Sequence, residues 1–164
     1  MNEGMNTELE ALEDTQKGKF LTFTLGEEYY GIDIMYVTEI VGIQPITVVP
    51  ELPEFIKGII NLRGKIIPVM DARIKFKKET KAYNDRTCII VIDVHELSIG
   101  IIVDAVSEVL NINEDNIVPP PNLSTSGRKY IKSVGKSEEH VTLILDCEKL
   151  LNDNEIDEIK GSNE

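Results

Sequence analysis

Tryptophan is absent from this 164-residue chain, and aromatic residues make up only 5% of it. A core must therefore be built from branched aliphatic side chains rather than large rings. Histidine and cysteine occur twice each. His95 lies in the turn-like run Asp93-Val94-His95-Glu96, and His140 ends the charged run Glu138-Glu139-His140. Both read as solvated turn residues, with no partner at a spacing that points to acid–base or nucleophilic catalysis. Cys88 and Cys147 lack metal-ligand spacing and read as small buried hydrophobes in a reducing compartment. Positive charge is scarce too: 17 Lys and Arg stand against 29 Asp and Glu, for a net charge of −12 and a pI near 4.6. That balance argues against nucleic acid and anionic membrane surfaces, both of which need a basic face. No apolar run approaches the roughly 18 residues of a membrane span. Met1–Gln16 is acidic and has no apolar centre, so it does not read as a signal peptide, and a cytoplasmic location is expected. No Gly-rich phosphate loop and no His-Glu-x-x-His motif occurs. Asn111-x-Asn113-x-Asp115 faintly suggests a calcium loop, but Asn116 stands where that loop needs glycine. The expectation is a chain with no catalytic centre, metal or cofactor, whose function lies in its surfaces.

The residues that are present favour strands. Residues 1–17 are acidic and poor in bulky apolar side chains, and are expected to form a disordered tail. Phe20–Leu25 alternates as a strand, and Tyr29–Ile34 reads as a second after Gly26-Glu27-Glu28. Single helical turns are expected at Met35–Thr38 and Glu54–Lys57, with an irregular strand over Glu39–Val49 between them. Lys75–Arg86 holds five Lys or Arg in twelve residues and reads as a polar connector. Strands resume at Thr87–Asp93, Leu97–Val103, Tyr130–Val134 and Val141–Leu145, with a loop over Pro119–Pro121 and Ser124–Gly127. Leu150, Leu151, Ile156 and Ile159 have helical spacing, interrupted at Asn152-Asp153-Asn154.

The stretch from Phe55 to Asp71 reads as strand, tight turn, strand. Asn61-Leu62-Arg63-Gly64 supplies the turn, because Gly and Asn tolerate positive φ. Such a turn would hold Arg63 on a sheet rim. A guanidinium there can pair with a partner's carboxylate, or simply with a carboxylate of its own surface.

The two halves of the chain repeat. A shift of 69 residues (100 − 31) lays Gly31 on Gly100, Val37 on Val106, Glu39 on Glu108, Ile40 on Val109 and Pro50 on Pro119. After a six-residue insertion the shift is 75 (130 − 55), which lays Phe55 on Tyr130, Lys57 on Lys132, Gly58 on Ser133 and Asp71 on Asp146. The pattern predicts an all-β fold: two five-stranded β-barrel subdomains related by an internal repeat, plus a C-terminal helix. Closing each sheet removes its edges, and packing the two together supplies a shared core. Matched positions read as framework. Arg63 falls on Glu138, so the barrel itself does not require it.

Gly58-Ile59-Ile60-Asn61-Leu62-Arg63-Gly64-Lys65-Ile66-Ile67-Pro68-Val69-Met70-Asp71-Ala72-Arg73 closely resembles the most recognisable run of the CheW family, the coupling proteins of bacterial chemotaxis. Tyr30–Ile34 with Val37-Thr38-Glu39-Ile40 is similar to a second signature, and the resemblance extends from about Phe20 to Leu151. It implies SH3-like barrels, the first over about 20–74 and the second over about 87–146, within a CheW-like domain at 18–151, followed by a helix and tail at 147–164. It also implies a non-enzymatic adaptor joining the cytoplasmic tip of chemoreceptors to the regulatory domain of the histidine kinase CheA at membrane receptor arrays. Carried over by position, the resemblance assigns Val37, Glu39, Arg63, Cys88 and Val109 to receptor binding. There an apolar groove floor would accept a helix and charges at the rim would set its register. Plain barrel core is the competing role for Val37 and Val109. Lys57, Gly58 and Asp71 are assigned to the kinase, with framework as the competing role. A small-ligand-binding double barrel, or a coupling protein of another receptor–kinase array such as one driving pilus motility, is the alternative.

Overall fold

A computed structural model describes residues 17–120 and 129–162. The acidic tail up to residue 16 and the Ser124–Gly127 loop lie outside the described residues. The elements in chain order are β1 (Lys19–Leu25), β2 (Glu28–Asp33), β3 (Val37–Gly42), β4 (Ile56–Leu62), β5 (Lys65–Asp71), α1 (Ala72–Lys75), β6 (Cys88–Val94), β7 (Leu97–Val103), β8 (Ala105–Asn111), β9 (Ile117–Val118), β10 (Ile131–Lys136), β11 (Val141–Leu145) and α2 (Asp153–Ser162). A short 3-10 turn at Ile34–Tyr36 precedes β3, capped by the Asp33 carboxylate. The segment before β4 is a turn closed by Ile56 N–H on Pro53 C=O, and the strand begins at Ile56 rather than after a helical turn at Glu54–Lys57. Lys75 belongs to α1 and is buried, so the polar connector starts one residue later.

The architecture is all-β: two small SH3-like barrels with a C-terminal helix. Barrel I has the strand order β3-β6-β7-β5-β4, and barrel II the order β8-β1-β2-β11-β10-β9. The repeat is visible strand by strand, but the barrels are not the two halves of the chain. The β1–β2 hairpin of the first repeat lies in barrel II, where β2 runs parallel to β11. The β6–β7 hairpin of the second repeat lies in barrel I, where β7 runs parallel to β5. This corrects the boundaries of about 20–74 and 87–146. A sequence repeat cannot distinguish pairing within a copy from pairing with the equivalent strand of the other copy, because both put the same residue types opposite one another.

Matched residues do matched work. Gly31 faces Ile144 and Gly100 faces Val69 across the two parallel pairs. A β-carbon on Gly100 would stand 2.6 Å from Ile89 Cγ2 and 2.9 Å from Val69 Cγ1, so the close approach requires glycine. Asp71 caps α1 and Asp146 caps the 3-10 turn Cys147–Lys149.

Mostly aliphatic side chains, with a few aromatic rings, fill three clusters. Ile60, Leu62, Ile67, Val69, Ile89, Val91 and Ile102 fill barrel I, and Phe20, Ile112 and Ile144 fill barrel II. The largest cluster takes the other faces of both sheets, including Leu21, Phe23, Ile32, Met70, Ile90, Ile92 and Ile101, and is the shared core expected between them. Leu150, Leu151, Ile156 and Ile159 join it, so α2 closes one side of that core. The Asn152-Asp153-Asn154 interruption is the start of α2. Asn152 Oδ1 accepts from Glu155 N–H and Glu155 Oε1 accepts from Asn152 N–H, a reciprocal capping box. Glu155 also receives the buried Lys75 Nζ at 3.1 Å, which lies 3.9 Å from the centre of the Phe55 ring.

Candidate interaction site

The β4–β5 turn has two residues between Leu62 and Lys65, and both Arg63 (φ 54) and Gly64 (φ 88) lie in the left-handed region. That is the geometry of a tight hairpin whose turn follows the strand twist. Asn61 Oδ1 accepts from Gly64 N–H at 2.8 Å and locks it. Arg63 is thereby held at the end of barrel I, where its Nη2 donates to both carboxylate oxygens of Glu39, at 2.6 Å to Oε1. That contact, first through its hydrogen bond and then through its charge, holds the guanidinium pKa above its ordinary value. Arg63 therefore pairs on its own surface. Its side chain is still 70% exposed, and both bonds to Glu39 use Nη2, so Nε and Nη1 are not used in that pair. At the repeat-matched positions of barrel II stand Glu108 and Glu138, which cannot form such a pair.

The apolar candidates occupy a different face. A bulge at Thr38 interrupts β3, so that Val37 stands opposite Ile92, Glu39 opposite Val91 and Ile40 opposite Ile90. Directly opposed residues share a face of the sheet. Val37, Ile40 and Cys88 therefore lie on the shared-core side of barrel I, while Glu39 lies on the barrel-interior side. Val37 and Cys88 pack on the margin of the shared core. Val109 stands opposite Leu21 on the shared-core side of barrel II, 51% exposed. The structure thus brings Glu39 and Arg63 into contact and ranges Val37, Cys88 and Val109 along the inter-barrel faces of edge strands β3 and β8 and of β6. Ile40, 43% exposed, belongs with them. Its signal was its repeat match to Val109, but the bulge conceals its facing from simple alternation.

The three kinase candidates separate. Lys57 is exposed on β4. Gly58 is buried: its φ is +151, and a β-carbon would stand 2.1 Å from Thr47 C=O. Asp71 is 5% exposed and fully engaged. One oxygen accepts from Arg73 and Ile74 N–H, and the other accepts the Tyr83 hydroxyl at 2.8 Å. Burial, then the Asp71 bond, pushes the Tyr83 phenol well above its ordinary pKa. Gly58 and Asp71 are therefore framework and offer no side chain to a partner.

A further polar contact ties the barrels together. Arg73, just after β5, donates from Nε and Nη2 to Asp104 at 2.7 and 2.5 Å, and Gly26 N–H in the β1–β2 turn donates to the same carboxylate. The Arg73 bond, with a contribution from Gly26, holds the Asp104 carboxyl below its ordinary pKa. The histidines are likewise more than solvated turn residues. His95 Nε2 bonds Glu148 C=O at 2.6 Å, and His140 stacks on Tyr29 at 3.7 Å between centroids. Burial raises the Cys147 thiol to about 12, so it stays protonated. Among the described residues no group of three or more His, Cys, Asp or Glu could hold a metal ion, and no helix is long and apolar enough to cross a membrane.

Two pseudo-equivalent SH3-like barrels with an exposed arginine turn and apolar edge strands define a scaffold of the double-barrel class. The family model for the CheW-like domain matches residues 19–155, and the chain belongs to the CheW family. It is 39% identical to the chemotaxis protein CheW of Klebsiella aerogenes over 154 residues, 93% of each chain. It is 33% identical to that of Treponema pallidum over 146 residues, 86% of each. The crystal structure of the scaffolding protein TtCheW from Thermoanaerobacter tengcongensis matches with a TM-score of 0.78 and 40% identity, covering 84% of this chain and 94% of that one.

Proposed function

We propose that this chain is a non-enzymatic adaptor that couples transmembrane chemoreceptors to the histidine kinase CheA, from a cytoplasmic position at membrane receptor arrays. Membership of the CheW family supports the coupling role. The observation that carries the site is the Arg63–Glu39 pair, which is exposed, held by a locked turn and replaced by two acids in barrel II. The receptor's helical tip lies along Val37, Ile40, Cys88 and Val109, and the Nε and Nη1 donors of Arg63 fix its register on a carboxylate. The kinase docks on barrel I beside Lys57. For the small-ligand alternative, the hollow between Asp71, Arg73, Tyr83 and Asp104 is about 10 Å³, room for no more than one water, while larger hollows such as the one of about 620 Å³ beside Leu110, Asn116 and Lys136 lie open at the surface.

Arg63→Ala is expected to weaken binding of a receptor tip fragment about tenfold or more, as removal of an interfacial anchor does. Its melting curve should match the parent, since the guanidinium is exposed. Titration calorimetry with the fragment checks this. Unchanged affinity would remove Arg63 from the site.

A further inference from the structure

The chain passes from the first repeat to the second once, through residues 76–86. Each repeat contributes a hairpin to the other's barrel: β1–β2 completes barrel II and β6–β7 completes barrel I. Neither half therefore holds a whole sheet. Without β6 and β7, β3 loses its partner strand, and β5 keeps only β4. Without β1 and β2, β8 loses its partner strand, and β11 keeps only β10. Leu21, Phe23 and Ile32 from one half and Ile90, Ile92 and Ile101 from the other meet in one shared core.

We propose that a second copy of this chain can supply the missing half. Two copies exchange residues 87–162 about the 76–86 connector, giving a dimer built from the same four barrels as two monomers. Every strand pair and core contact is kept, so only the connector's path changes. Along the connector, residues 79–86 are all exposed. Phe76 at its start stacks on Tyr30 and packs on Tyr130 at the margin of the shared core. Beyond it, the side-chain anchors are polar: Tyr83 on Asp71, Glu79 C=O on Arg73, and Lys78 on Glu28. The intramolecular arrangement is favoured by effective concentration, on the order of mM for a short linker. Exchange therefore becomes appreciable only when neighbouring copies are present at comparable density.

Full-length chain carrying a protease recognition sequence between Thr80 and Lys81 tests this. Light and isotope-labelled copies are unfolded together in denaturant, refolded across a range of concentrations, and sized by native mass spectrometry before and after cleavage. The expected result is a dimer whose share rises steeply as the refolding concentration approaches the mM range. Cutting should then resolve that dimer into monomer-sized complexes, every one from a mixed dimer holding one light and one labelled half. A dimer that survives cutting intact joins through an ordinary surface and overturns the proposal. So does a chain that stays monomeric at every concentration, and so do halves that separate once cut.

Discussion

Gly58→Ser is expected to unfold barrel I. Gly58 sits at a bulge in β4, where the chain at Thr47 crosses it and exchanges backbone hydrogen bonds with Ile59 at 2.9 Å in both directions. A β-carbon would stand 2.1 Å from Thr47 C=O and 2.9 Å from Ile46 Cγ2, and φ of +151 disfavours any L side chain. The obstacle is backbone held by its own hydrogen bonds, so relief means breaking the Thr47–Ile59 bridge. The expected loss is about 4 kcal/mol or more, a large share of the stability of an ordinary domain. The repeat suggests the opposite, since Ser133 occupies the matching place in β10. The covering strand explains the difference. In barrel II, Val118 faces Val134, and Val118 is the counterpart of Val49 (118 − 69). In barrel I, Thr47 faces Ile59, so the cover is registered two residues differently. Gly58→Ser and Gly58→Asp should both lose cooperative melting, and any loss of kinase binding would follow from that. A Ser variant that melts with the parent would show that the bulge yields.

Arg73→Ala is expected to be nearly as damaging. Arg73 and Asp104 are only 15% and 14% exposed, and they join the end of β5 to the link between β7 and β8 and, through Gly26, to the β1–β2 turn. Removing the arginine strands a mostly buried carboxylate between the barrels. The cost should fall at about 2–4 kcal/mol, between an exposed pair and a fully buried one. The pH dependence has a definite sign. Asp104 is held below its ordinary pKa in the folded chain, so its contribution is complete above the ordinary carboxylate value. It is lost as pH falls through the lowered one. Melting temperatures taken from neutral to strongly acidic pH should therefore fall less steeply for Asp104→Asn than for the parent. An identical acid limb would exclude Asp104 from the acid response.

Much of this is legible in the residues. Gly31 with Gly100 and Asp71 with Asp146 announce a repeat because each pair does one physical job twice, close strand packing in the first case and capping in the second. The exchange of hairpins is not legible, since both pairings satisfy the same residue pattern. Arg63 stands out because its repeat partner is Glu138, and the Asn61–Gly64 turn chemistry fixes its place. Its contact with Glu39, 24 residues away, depends on a bulge at Thr38 that no local propensity marks. Gly58 and Asp71 look available to a partner only while burial is unknown. Lys75 reads as a solvated connector residue until Glu155 and Phe55 are placed around it.

Co-sedimentation with receptor-containing membranes, in the presence and absence of the kinase, tests the coupling role most directly. The chain should pellet with the receptors, and the kinase should pellet appreciably only when the chain is added. Arg63→Ala should leave both in the supernatant. Kinase that sediments equally well without the chain, or a chain that stays in the supernatant beside abundant receptor, would contradict its role as the coupling protein.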